Sequence, residues 1–196
     1  WSSDVCSSDL KGGKPVKKRK WWLSTLAAAV LIIIGIGGKQ YMDKKAIEKD
    51  YQQGIDLIQK YVSNYLVENY EGIEKIEWQG VGVEWRNAKG YGPSLLGNYV
   101  DSDVRIYVSE DNYFTMSFTL NYNTEYDDKL EKYIQLDYLR PQKIDSILVL
   151  EVENATKGLN IGDKLEISES KKIKKSSEGS SNAKVISNLE IHELVY

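Results

Sequence analysis

The chain has 196 residues with 26 basic and 29 acidic side chains, a formal net charge of −3, one histidine and one cysteine. Residues 39–196 are net acidic and carry no concentrated basic face, which argues against nucleic-acid binding. A lone cysteine excludes disulfides within the chain and cysteine-ligated zinc.

Residues 1–10, Trp-Ser-Ser-Asp-Val-Cys-Ser-Ser-Asp-Leu, resemble the conceptual translation of a sequencing adapter. With no Met before Trp1 they are expected to be foreign, and the only cysteine, Cys6, goes with them. Residues 11–20 form a basic arm of six Lys/Arg ending in Lys17, Lys18, Arg19 and Lys20. Residues 21–38 follow without a charge, beginning with Trp22 behind Trp21. As a helix this segment reaches roughly 27 Å, close to the ~30 Å hydrocarbon core. The basic flank marks a cytoplasmic N-terminus and the paired tryptophans suit an interface, so a single-pass transmembrane helix with an extracytoplasmic C-terminal domain is expected. A cleavable signal peptide is the alternative, although Gly35-Ile36-Gly37 is a poor cleavage site. The remainder, 39–196, carries 20 basic and 27 acidic residues. Its roughly 150 residues suffice for one core or two small ones.

From Asp43 to Tyr70 the residues Ile47, Tyr51, Ile55, Ile58, Val62 and Tyr65 recur at helical spacing, which predicts an amphipathic helix that packs on a sheet and stops before Gly72. Ile73 to Arg86 alternates as a strand, with a slip in parity at Gly80 that predicts a bulge. A long loop follows over 87–98. Val104, Ile106 and Val108 alternate, Ser109 to Asn112 turn, and Phe114, Met116, Phe118 and Leu120 alternate again, which predicts a hairpin. Thr124 and Asp127 have capping-box spacing and predict a short helix toward Leu139, stopped by Pro141, with a strand over 133–139 as the alternative. Ile147 to Val152 and Lys164 to Ile167 read as strands, Ser168 to Lys184 as a mobile Ser/Lys-rich loop, and Val185 onward as a terminal strand. The expected fold is therefore α+β: an extracytoplasmic helix and antiparallel β-meander over 41–140, then a β-rich segment over 141–196 with a mobile loop at 168–184.

The order of helix and meander resembles cystatin-like extracytoplasmic modules in outline. Together with the anchor, it also resembles uncharacterised N-terminally anchored proteins of low-GC Gram-positive bacteria, some of them immunity proteins for secreted toxins. That resemblance implies a protein at the cell membrane that binds another protein outside the cell; no cofactor is expected, because the sequence carries no catalytic signature, metal-ligand set or phosphate loop. It implies no residue roles.

Candidate site residues come from composition. Tyrosine outnumbers phenylalanine fourteen to two, and Tyr91, Tyr99, Tyr107, Tyr113 and Tyr122 fall in or near the meander loops. Amphipathic rings suit a partner-binding surface, while the plain alternative is that they cover a half-wet sheet. Lys171, Lys172, Lys174 and Lys175 are candidates for contact with anionic lipid or wall polymer, or else a solvated hairpin arm. His192 shares parity with Glu190 and Leu194 and is expected to face solvent. Asp101 and Asp103, Glu110 and Asp111, and Asp127 and Asp128 lack EF-hand spacing and read as turn and capping residues. No nucleophile elbow, metal-ligand set or phosphate loop is present. A non-enzymatic protein-binding domain is the expected function. Binding to wall polymer or the membrane surface is the second reading, and a small carboxylate-dependent hydrolase the third.

Overall fold

Alternating burial along residues 99–109 identifies the strand around which the chain is built: Val100, Ser102, Val104, Ile106 and Val108 are buried and the residues between them are not. The computed structural model describes residues 44–86 and 97–194. It is a mixed α+β fold. Helix α1 covers 44–69, and strands β1 (Tyr70–Glu71), β2 (Lys75–Trp78), β3 (Val81–Glu84), β4 (Tyr99–Ser109) and β5 (Asn112–Thr119) follow it. Gly72, at φ 84°, supplies the left-handed turn between β1 and β2.

β5 pairs antiparallel with β4 from Asp101 opposite Thr119 to Ser109 opposite Asn112. The other edge of β4 takes β2 and then β3. Trp78 lies opposite Val104 and Gly82 opposite Asp101, so the first strand advances four residues while its partner advances three. One extra residue is thus inserted at Gln79-Gly80, with Gly80 at φ 106°. This is the bulge that the parity slip predicts. β9 (Lys184–Ile186) and β10 (Ile191–Glu193) return along the outer edges of β2 and β3, and both pairings are parallel. The meander expected from the sequence is therefore antiparallel only over β2 to β5, and the terminal segment, which does pair in the sheet, makes the whole sheet mixed.

α1 buries Ile55, Ile58, Val62 and Leu66 in the same cluster as Trp78, Val104, Ile106, Phe114, Met116 and Phe118. Trp78 and Phe118 meet at 5.9 Å between ring centroids, and the indole Nε1–H donates to Ser63 Oγ at 2.9 Å. Each such aromatic contributes on the order of 2–3 kcal/mol through burial. Ile47, the first residue of the predicted stripe, is exposed. Gly54 is required in mid-helix because a Cβ there would lie 2.3 Å from Leu120 Cδ1 and 3.0 Å from Tyr133 Cε1. The buried Gln59 amide donates to Ser102 Oγ and to the Asn188 carbonyl and accepts from Asn188 N–H. It fastens the connection between β9 and β10 to both helix and sheet.

Residues beyond 120 depart most from expectation. The helix predicted from Thr124 is absent: a single turn, α2 (Leu120–Asn123), precedes a hairpin of β6 (Thr124–Asp127) and β7 (Lys132–Gln135). Thr124 Oγ1 donates back to the Leu120 carbonyl, and Asp127 Oδ1 accepts from the N–H groups of Lys129 and Leu130. The presumed capping pair thus closes one turn and opens the next. The strand alternative over 133–139 is met only by β7. In the turn, Glu131 takes a left-handed backbone at φ 49°, at a cost of about 1 kcal/mol for a residue with a Cβ.

Pro141 starts a helix rather than ending one. α3 (Pro141–Thr156) has the proline at its first position, where a missing N–H costs nothing, and buries Ile144, Leu148 and Ala155. The strand read at 147–152 is its middle, and Gly158, at φ 68°, follows its C-terminus. The segment 141–196 is accordingly not predominantly β, and it shares one core cluster with the residues before it. Ile47–Tyr196 forms a single compact unit. Lys164 makes one bridge to Tyr113, whereas Ile167 opens a short helix, α4 (Ile167–Ser170). The Ser/Lys-rich stretch 168–184, expected to be a mobile loop, is pinned. β8 (Lys174–Lys175) pairs with β1, and buried Ser180 donates through Oγ to the Tyr70 carbonyl while accepting from Ile73 N–H. Among the described residues no helix is long and apolar enough to cross a membrane, and the predicted span at 21–38 lies outside them.

Candidate functional site

Because the even-numbered residues of β4 and β5 enter the core with α1 and α3, their odd-numbered neighbours face the other way. That open face carries Tyr99, Asp101, Asp103, Arg105 and Tyr107 from β4 and Tyr113, Thr115, Ser117 and Thr119 from β5. Three of the five tyrosines singled out from composition, Tyr99, Tyr107 and Tyr113, therefore share one surface.

Cross-strand register sets their contacts. Tyr107 lies opposite Tyr113 with ring centroids 5.0 Å apart, and opposite Lys75 on its other side, whose Nζ sits 3.7 Å from the Tyr107 centroid. Arg105 reaches over the Tyr113 ring at 5.5 Å. Lys75 also pairs with Glu77 at 2.8 Å. The Glu77 hydrogen bond raises the ammonium's pKa and the Lys75 hydrogen bond lowers the carboxyl's, so both charges are held near neutrality. The Tyr113 hydroxyl donates to the Gly162 carbonyl at 2.8 Å, and Asp163 accepts from Thr115 N–H and Oγ1. Two rings and two cations are thus fixed from several sides in a patch half open to solvent. Tyr99 stands eight residues along β4, roughly 26 Å away, beneath Arg86.

Tyr91 lies outside the described residues. Tyr122 does not join the patch: it is exposed on α2, with Tyr138 at 6.3 Å. The sequence reading missed Lys75 and Arg105, whose pairing with the rings depends on strand register.

The same face carries an acidic row. Asp101 lies opposite Gly82, which lies opposite His192. A Cβ at Gly82 would stand 2.3 Å from Asp101 Oδ1, so only glycine leaves room for the carboxyl. Burial pushes that carboxyl up to about 6; neighbouring Asp103 pushes the same way and His192 opposes. Asp103 accepts from Ser117 Oγ at 2.6 Å. His192 is exposed, beside Gly80, as its parity predicts. Among the described residues no cluster of His, Cys, Asp and Glu could hold a metal ion.

The lysine candidates are drawn into the fold. Lys175 pairs with Asp145 on α3, and Asp145 Oδ1 also accepts from the hydroxyls of Tyr65 and Tyr70 at 2.6 and 2.7 Å. Burial pushes the Asp145 carboxyl up, but the hydrogen bonds from Lys175, Tyr65 and Tyr70 outweigh it and hold its pKa below the ordinary value. Lys172 pairs with Glu169 at 2.8 Å. Lys171 and Lys174 are exposed. The four do not act as one free basic patch. No family model, curated protein or solved structure matches the chain.

Proposed function

We propose that the chain is a single-pass membrane protein, anchored through residues 21–38 with its N-terminus in the cytoplasm, whose extracytoplasmic domain binds another protein without catalysing a reaction. One observation carries the reading: Lys75, Tyr107, Tyr113 and Arg105 form a fixed cluster of rings and cations on the face of the sheet that α1 and α3 leave open. Tyrosine and arginine side chains ordered before binding, as Tyr107, Tyr113 and Arg105 are, are frequent anchors of protein interfaces. A cystatin-like outline and kinship in style with anchored Gram-positive proteins suit envelope assembly or toxin immunity as the setting. The lysine run supports polymer binding less, since Lys172 and Lys175 already have carboxylate partners.

The test places a photo-crosslinking amino acid at Tyr113, or at Ser146 on the exposed side of α3, in the full chain expressed in a Gram-positive host. A discrete protein adduct from position 113 and none from position 146 is expected. No adduct at position 113, or the same adducts from both positions, overturns the reading.

A further inference from the structure

A second surface lies on the far side of α1 from the core. Gln53, Leu57, Tyr61 and Asn64 recur at spacings of four, four and three, which sets them in one stripe on the side of the helix turned away from the core stripe of Ile55, Ile58, Val62 and Leu66. The β6–β7 hairpin forms the opposite wall through Tyr133 and Gln135. Between them runs an open groove of about 560 Å³. From residue 53 to residue 64 the helix advances about 16 Å, so the groove is elongated.

Its lining is unlike either face of the sheet. The Tyr133 ring is immobilised: its hydroxyl donates to Asp50 at 2.7 Å, Gly54 lies beneath it, and Tyr126 meets it edge-on at 5.3 Å. The amides of Gln53 and Asn64 are exposed and have no hydrogen-bonding partner among the described residues. Gln135 donates to the Leu139 carbonyl and keeps its own amide oxygen for a ligand. Charge is balanced, with Asp56 paired to Lys60 at 2.7 Å and Glu131 followed by Lys132.

We propose that this groove binds a neutral oligosaccharide. Amide groups donate and accept side by side, which matches adjacent sugar hydroxyls. The Tyr61 and Tyr133 rings and the Leu57 side chain supply apolar lining for the C–H faces of sugar rings, and a balanced charge offers no gain to an anionic chain. The volume lies within the range of small-ligand sites and suits a few rings. The site is separate from the tyrosine patch on the sheet, so either reading can fail without the other.

Saturation-transfer NMR on the full chain in lipid nanodiscs tests this with triacetylchitotriose and maltotriose as probes, followed by competition with purified cell-wall sacculi. Transfer to either trisaccharide is expected. Displacement by sacculi assigns the natural ligand to the wall glycan, and its absence assigns a free or differently linked sugar. The double variant Gln53→Ala with Asn64→Ala should weaken binding roughly tenfold, while Gln142→Ala on α3 leaves it unchanged. Both groove positions are exposed on a helix, where alanine is well accommodated, so a loss of binding reports on the groove rather than on folding. No transfer to either sugar at millimolar concentration, or undiminished transfer in the double variant, overturns the proposal.

Discussion

The two faces of the central sheet are made by alternate residues of the same strands, yet different physics governs each. On the inner face Val104, Ile106, Phe114, Met116 and Phe118 are buried against α1 and α3, and their polar neighbours Ser102 and Gln59 are fully hydrogen-bonded. On the outer face Tyr107, Lys75, Arg105 and Asp103 stay in contact with water and are fixed by rings, ion pairs and hydroxyls. The inner face fixes the fold because apolar burial is large and tolerates little change in volume. The outer face can vary in chemistry at small cost to folding, which is what a recognition surface requires.

The largest effect that separates the faces is expected at Trp78, which is 1% exposed and also uses its indole N–H. Trp78→Ala should lower unfolding free energy by about 3–5 kcal/mol, measured by urea denaturation, through the cavity and the orphaned Ser63 hydroxyl. A loss below about 1 kcal/mol would mean that the inner face is not a close-packed core.

Those inner positions were also the legible ones. A period of 3.6 over 47–65 and a period of 2 over 104–120 disclose α1 and the β4–β5 hairpin, because one side of each is buried and burial imprints its period on the sequence. α3 was not legible as a helix: Ile147, Val149 and Val152 carry β-branched side chains, and Pro141 has two opposite meanings, a stop for the chain before it and a start for the chain after it. The β6–β7 hairpin was hidden for a similar reason, since Thr124 and Asp127 have capping-box spacing but spend their side chains on two separate turns. For the candidate site, tyrosine excess located Tyr107 and Tyr113, whereas their cations Lys75 and Arg105 depend on cross-strand register. Lys175 looked free for the same reason: its partner Asp145 is thirty residues away in the chain.

Asp101 gives an intermediate effect of opposite sign. Its carboxyl titrates near 6 when folded, above the ordinary value of 3.8, so between these two pH values the folded chain binds a proton that the unfolded chain does not. Stability from this group is therefore present at low pH and lost as pH rises through about 6. After allowance for solvent screening, Asp101→Asn should raise stability at pH 7 by on the order of 1 kcal/mol and leave it unchanged near pH 4. Asp145 acts in the reverse sense, its contribution disappearing as pH falls through its depressed pKa. Denaturation curves from pH 4 to pH 8 for both Asp101→Asn and the unaltered chain isolate the Asp101 component. A variant whose pH profile parallels that of the unaltered chain would show that Asp101 is no more desolvated than its neighbours on the outer face.

The smallest effect is the sharpest comparison. Ser117 lies between Met116 and Phe118 in β5, and its hydroxyl faces outward to donate to Asp103 at 2.6 Å. Ser117→Ala removes one exposed hydrogen bond whose partner remains in reach of water, so the unfolding free energy should change by less than about 0.5 kcal/mol. Met116→Ala, one residue away, removes a fully buried side chain and should cost about 2–5 kcal/mol. Adjacent substitutions that differ by at least 2 kcal/mol would confirm that strand parity alone divides structural from adaptable positions. Equal costs at both would mean that Asp103 and Ser117 are held in a rigid network, and that the outer face is as tightly specified as the core.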